Sequence, residues 1–207
     1  MRAHKRLIQQ LQQQGIKNSA VLEVMQSIPR HIFIDEALSD HAYANHPMPI
    51  GYGQTISQPY IVARMTEELL NQGMIDNVLE IGSGCGYQTA ILASLVRKVY
   101  SVERIKELTN KARKNIMALN LNNVQFYHDD GHWGWPEHAP YPGIIVTAAP
   151  ISVPEALLKQ LAIGGCLIIP TGPKGQQVLL KIVRTRDGYE RSTLDDVSFV
   201  PLCEGIS

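Results

Sequence analysis

Three glycines and three carboxylates hold most of the chemistry legible in this chain. Glu80-Ile81-Gly82-Ser83-Gly84-Cys85-Gly86 closes an apolar run, Asn77–Ile81, that reads as a strand. Glycines just past a strand let the backbone approach a ligand closely and turn into the next helix. Glu103 stands 21 residues beyond Gly82, at the end of the second strand-like run. An acid there can accept hydrogen bonds from both hydroxyls of a ribose. Asp130, followed by Gly131, comes after the third run, where a carboxylate can accept from an adenine amino group. The dinucleotide pattern G-x-G-x-x-G seats a pyrophosphate on a helix N-terminus. Here the spacing is G-x-G-x-G, with an acid two places before the first glycine. Glu80 would repel a pyrophosphate and suits a ligand with a cationic ammonium or sulfonium. S-adenosylmethionine carries both, and a ribose for Glu103. Acids on three successive strand ends fit an adenosyl amino acid better than a nicotinamide dinucleotide. The plainer alternative is a tight turn with solvated acids.

Other reactive side chains read more simply. Cys85 opens a helix, where a thiol can be activated, but a small loop filler explains it as well. His128 and His132 are four apart and His138 follows, on a strand-to-loop stretch unsuited to zinc. No metal is expected. Trp133 and Trp135 either stack on adenine or pack their loop. Arg104, Lys106, Lys111, Arg113 and Lys114 read as a solvated helix face rather than a nucleic-acid patch. Cys85, Cys166 and Cys203 form no CxxC pair and no disulfide framework, which suits a reducing compartment.

The elements that must position these residues follow from periodicity. Strands are expected at Asn77–Ile81, Val99–Glu103, Val124–His128, Gly143–Ala148, Cys166–Pro170, Val178–Thr185 and Val197–Leu202. Helices fit Tyr87–Val96, Ile105–Leu119 and Pro154–Leu161. Alternating strands and helices predict a parallel sheet covered on both faces, a doubly wound α/β fold. The last two strands have only a turn near Asp187–Gly188 between them, so they pair antiparallel at an edge. Ahead of this portion, residues 4–14 and a stretch capped by Asn18 or Ser19 are helical, 45–60 is a long loop, and a helix runs from Pro59 to about Leu70. We therefore divide the chain into a helical segment with a site loop, 1–70, and an α/β portion, 71–207, together one structural unit. Over 207 residues, 44% are hydrophobic and 18% charged, which argues for a folded core. Lys+Arg and Asp+Glu are both 19, so no net charge draws the protein to nucleic acid or an anionic membrane. No apolar run reaches membrane-span length, and a cytoplasmic protein is expected.

The segments Ile28-Pro29-Arg30-His31-Ile32-Phe33, Gly53-Gln54-Thr55-Ile56-Ser57-Gln58-Pro59-Tyr60, Val78–Gly82 with Gly84 and Gly86, Ser101–Arg104, Val146–Pro150 and Phe199–Leu202 closely resemble the protein-L-isoaspartate O-methyltransferase family. The resemblance spans nearly the whole chain, and Gln54–Tyr60 is its most specific part. It implies a methyltransferase sheet with strands in the order 3-2-1-4-5-7-6, counted within the α/β portion. It implies S-adenosylmethionine as cofactor, S-adenosylhomocysteine as product, and the α-carboxylate of L-isoaspartyl residues in peptides and aged proteins as acceptor. A monomer is expected. By position Ser57 matches the family's active-site serine, and Gln54, Thr55 and Ile56 share its loop. Glu80, Gly82, Glu103, Asp130 and Gly131 match cofactor-contacting positions. The chain departs from the family pattern at Ser83 and Cys85, at His132 with Trp133 one place later, and at Tyr141-Pro142-Gly143. Such an acceptor is already ionised at neutral pH and needs no general base. Ser57 would orient it, or else merely cap the helix at Pro59. Methylation of another carboxylate or a small molecule on the same fold, or an inactive cofactor-binding module, are the alternatives.

Overall fold

The computed structural model describes residues 2–71, 73 and 75–207. The N-terminal part holds helices α1 (Arg2–Gln13) and α2 (Ser19–Ser27), a hairpin of β1 (Met48–Gly51) and β2 (Gln54–Ile56), and helix α3 (Pro59–Leu70). The α/β part runs β3 (Asn77–Ile81), α4 (Tyr87–Ala93), β4 (Lys98–Glu103), α5 (Lys106–Ala118), β5 (Val124–His128), β6 (Tyr141–Val146), α6 (Glu155–Lys159), β7 (Leu161–Thr171), β8 (Gln177–Arg184) and β9 (Tyr189–Val197).

The seven strands from β3 onward form one sheet in the order β5-β4-β3-β6-β7-β8-β9. The first five are mutually parallel, and β8 pairs antiparallel with both β7 and β9. The final strand therefore pairs antiparallel, as expected, but the order is 3-2-1-4-5-6-7 and not the family-derived 3-2-1-4-5-7-6. The connections explain this correction. Only residues 172–176 join β7 to β8, and only 185–188 join β8 to β9. Links this short place each strand beside its predecessor. The last strand is also displaced in sequence. The apolar Val197–Leu202 reads as a strand, yet the ladder partner of β8 is the polar Tyr189–Val197, an exposed edge. Charged side chains on an edge strand discourage further pairing. Beyond Val197, Phe199 exchanges hydrogen bonds with the Gln177 side chain, and Val200 and Leu202 bond the backbone of Ala149.

Alternation along β3 sorts its side chains. Val78 packs with Leu92 of α4 on one face, and Leu79 and Ile81 with Leu157 of α6 on the other. Helices α1 and α2 add a further layer over α4 and α5, where Leu7, Leu11, Val21 and Met25 share a core with Tyr87, Ile91 and Leu108. The loop expected at 45–60 contains the β1–β2 hairpin, with Met48 opposite Ile56. Among the described residues no helix is long and apolar enough to cross a membrane.

Candidate active site

The sheet order reverses between β3 and β6, and a cavity opens at the carboxyl ends of these strands and β4. Its floor is the loop after β3. Gly82 has φ +91°, and a side chain there would run into Thr147 Oγ1. Thr147 donates this hydroxyl to Gly82 O at 2.7 Å, binding the end of β6 to the loop. Gly86, at φ +90°, lies under the start of α4, and a Cβ would press on Ala112 of α5 at 3.1 Å. The third glycine thus serves helix packing and does not line the cavity.

Glu103 lies on the cavity wall, almost buried. Its Oε2 accepts from Gly84 N at 2.9 Å and its Oε1 from Ile105 N at 3.0 Å. Each oxygen keeps a lone pair for a further donor. Gln54, Thr55, Ile56 and Ser57 form the facing wall, with Gly82, Gly84 and Gly131 completing the enclosure. The sequence-selected residues Ser57, Gln54, Thr55, Ile56, Gly82, Gly84, Glu103 and Gly131 therefore meet around one space.

Glu80 and Asp130 stand elsewhere. Glu80 points to the α4 side of the sheet, fully buried behind the glycine loop. Its Oε2 accepts from Thr89 at 2.6 Å and from Ser101 at 2.5 Å, and Ser101 in turn contacts Ser83 of the loop at 2.6 Å. Its Oε1 has no partner among the described residues. Burial pushes this carboxyl up to about 7, against the two hydroxyl donors and with the Glu103 charge adding to the rise. Strand alternation, not ligand charge, thus sets the surroundings of Glu80. Asp130 Oδ1 accepts from the backbone and ring of His132, and Oδ2 from Gly205 N at 2.7 Å. Burial alone would raise its pKa, but these donors hold it below the ordinary value. Asp130 fastens a C-terminal strap, whose residues Val200–Cys203 line the cavity opposite the loop.

The remaining candidates separate cleanly. Cys85 is buried, and burial pushes its thiol up, which suits a filler and not a nucleophile. His128 faces the carbonyls of Arg104 and Ser207, His132 faces Asp130, and His138 stacks on Tyr100. Trp135 packs against Tyr127 and Tyr100, while Trp133 is 65% exposed, and neither lines the cavity. Arg104 donates to Gly205 O and Arg113 to Phe126 O, each within the fold. Ser57 does not cap α3. The N–H of Tyr60 bonds Asn45 Oδ1 at 2.9 Å, and the capping position, Gln58, makes no side-chain cap. The Ser57 carbonyl receives a hydrogen bond from Arg30. Sequence reasoning held Arg30 and Thr147 only as members of the segments Ile28–Phe33 and Val146–Pro150 and gave their side chains no role. A threonine after a strand and an arginine in a short turn carry no periodic signal. Ser57, Thr55, Thr147 and Val200 also border a second groove, with Gln58, Ile61 and Phe199, so the two spaces meet at Ser57.

Comparison with known proteins agrees with this geometry. The profile of the protein-L-isoaspartate(D-aspartate) O-methyltransferase family matches residues 1–207. A protein-L-isoaspartate O-methyltransferase of Halorhodospira halophila is 55% identical over 204 residues, covering 99% of this chain and 93% of that protein. One from Pseudomonas aeruginosa is 56% identical, covering 99% and 97%. A solved structure from Plasmodium falciparum, described as a β-aspartate methyltransferase in complex with S-adenosyl-L-homocysteine, superposes with a TM-score of 0.85 at 30% identity, covering 97% of this chain and 98% of that one. With matching sequence over its full length and a shared fold, the chain belongs to the protein-L-isoaspartate(D-aspartate) O-methyltransferase family.

Proposed function

We propose that the chain transfers the methyl group of S-adenosylmethionine to the free α-carboxylate of L-isoaspartyl residues in damaged peptides and proteins. The observation that carries this reading is the meeting of two spaces at Ser57. One is a glycine-floored cavity with Glu103 on its wall; the other is a groove bordered by Gln58, Ile61 and Phe199. The donor set fits the cofactor. Glu103 holds lone pairs for ribose hydroxyls, and Gly82 leaves room where a side chain would strike Thr147. Bound there, the cofactor supplies an electrophilic methyl group on a cationic sulfur.

The chain's own residues do the rest. Ser57 donates its hydroxyl to one carboxylate oxygen and turns the other toward the cavity. The β1–β2 hairpin and Thr147 hold the acceptor in line, and orientation supplies most of the rate. Ser57 forms no covalent bond. The resulting ester is attacked by the downstream amide nitrogen of the substrate, expelling methanol. The succinimide so formed hydrolyses in part to normal aspartate. Residues 1–70 and 71–207 act as one unit, since both walls of the site are needed, and the protein works as a cytoplasmic monomer. Tritiated methyl transfer to an isoaspartyl peptide, beside its normal aspartyl twin, tests the reading. Label on the isoaspartyl peptide alone is the expected result. Equal label on both, or on neither, would remove it.

A further inference from the structure

Among the described residues Arg30 is the largest side chain wholly shut off from solvent. Only one of its nitrogens is satisfied: Nη2 donates to Ser57 O at 2.9 Å. Nε and Nη1 have no partner among the described residues. None of the ion pairs formed by the described residues includes Arg30. Its guanidinium lies 4.7 Å from the centre of the Tyr87 ring, the face that attracts a cation. Ser57 and Tyr87 both line the cavity, so Arg30 stands directly behind its acceptor end.

An arginine stays protonated inside a protein. Burying one without an anion is unfavourable, and apolar residues of similar volume replace such charges without loss of stability. The surroundings of Arg30 therefore call for a reason beyond packing. Across the cavity, Glu103 places a carboxylate beside the glycine loop. Glu103 thus stands on the glycine-loop side, where Arg104 also lines the cavity, and the unpaired Arg30 stands behind Ser57. In so dry a region the field of an uncompensated charge reaches its neighbours with little screening.

We propose that Arg30 is a positioning and specificity-determining residue for the acceptor: it fixes Ser57 through its carbonyl and supplies the positive potential that selects an anionic acceptor over a neutral one. The inference rests on the methyl-transfer reading above. Its kinetic signature follows from charge. Transfer neutralises the carboxylate, so a nearby cation favours the bound ground state at least as much as the transition state. Its removal should raise KM, and lower kcat by less than the loss of the Ser57 hydroxyl itself, since that hydroxyl remains.

The test compares the isoaspartyl peptide with the same peptide carrying an α-carboxamide, a neutral competitor, in the wild type, Arg30→Met and Arg30→Lys. In Arg30→Met we expect KM for the isoaspartyl peptide to rise about tenfold, equivalent to about 1.4 kcal/mol. The affinity of S-adenosylhomocysteine and the melting temperature should hold or, for the latter, rise. The preference for carboxylate over carboxamide should fall toward parity in Arg30→Met and return in part in Arg30→Lys. A purely structural role would instead lower melting temperature, cofactor affinity and kcat together, and that result would overturn the proposal. Equal binding of both peptides by the wild type would overturn it without any variant. Absence of transfer by the wild type removes the acceptor assignment and this inference with it. Transfer with unchanged KM in Arg30→Met removes the inference alone.

Discussion

Ser57 borders both spaces, and its carbonyl is held from behind by Arg30. Because Asn45 serves the first turn of α3, the Ser57 side chain adds little to stability. Ser57→Ala should therefore keep its melting temperature and lose roughly ten- to a hundredfold in methyl-transfer rate, as one hydrogen bond to a charged group is worth about 1.5–3 kcal/mol. A lowered melting temperature with wild-type turnover would contradict this. Glu103→Ala should weaken S-adenosylhomocysteine binding by roughly 2–4 kcal/mol in calorimetric titration, since two charge-assisted hydrogen bonds are lost. Unchanged affinity would take Glu103 out of the site. Glu80 predicts a pH effect instead. Its folded carboxyl titrates near 7, above an ordinary value of 4.5. Below about pH 4.5 both folded and unfolded chains are protonated there and nothing is lost. Between about 4.5 and 7 the unfolded chain releases its proton first, so stability falls, by on the order of 3 kcal/mol at about 1.4 kcal/mol per pH unit. Above 7 the penalty is constant. Glu80→Gln should flatten this slope in denaturant titrations of the free protein, and an unaltered slope would place the titration elsewhere. At this scale the glycine loop and Glu103 were legible because their chemistry needs fixed spacing, and Ser57 only through the family resemblance of Gln54–Tyr60. Arg30 was not, because a buried cation is recognised only by what fails to surround it.

The elements were read well where the pattern came from a buried face and poorly where it did not. Strands β3 to β5 and helices α3 to α5 show plain periodicity, and their bounds agree closely. Strand β9 was missed because an edge strand in water carries Glu190, Arg191, Ser192 and Asp196 in place of alternating apolar residues. Val197–Leu202 misled for the opposite reason. Val197 ends the β9 ladder, and beyond it Phe199 and Leu202 pack into the core from a stretch whose one bridge among the described residues joins Pro201 to Ala149. That segment begins the strap over the cavity. Further along, Gly205 N bonds Asp130, Arg104 Nε donates to Gly205 O, and Ser207 exchanges backbone bonds with Arg104 and Lys106. Asp130 thus closes the site by holding the strap. Asp130→Ala should speed dissociation of S-adenosylhomocysteine several-fold, as loss of about 1 kcal/mol per released hydrogen bond gives. The sign with pH follows from its lowered pKa. The fastening is intact above the ordinary carboxylate range and fails as pH drops through the folded value below it. Stopped-flow displacement with wild-type rates in the mutant would show that the strap is held elsewhere.

At the scale of the whole molecule the N-terminal helices and the sheet divide one task. One wall of the cavity comes from β3, β4 and the loop between β3 and α4, and the facing wall from the hairpin and Ser57 with Arg30 behind it; in the proposed function the first takes the cofactor and the second the acceptor. Geometry between the two walls can be kept only if the parts do not move independently. The core supports this. Leu11 of α1 is fully buried in the same cluster as Tyr87 and Ile91 of α4, so the apolar surface of α1 is matched by surface of the α/β portion. We expect Leu11→Ala to destabilise the protein by about 2–5 kcal/mol. That should lower a single melting transition by on the order of 10 °C for a chain of this size. Scanning calorimetry with two probes, tryptophan fluorescence and far-ultraviolet dichroism, distinguishes the possibilities. Trp133 and Trp135 both lie in the α/β portion, far in sequence from the substitution, so their signal reports the sheet. Coincident shifts in both probes mean that α1 and the sheet unfold together. A fluorescence transition that stays in place while the dichroic one splits would mean that the helical segment melts by itself, and the acceptor wall would then be mobile relative to the cofactor.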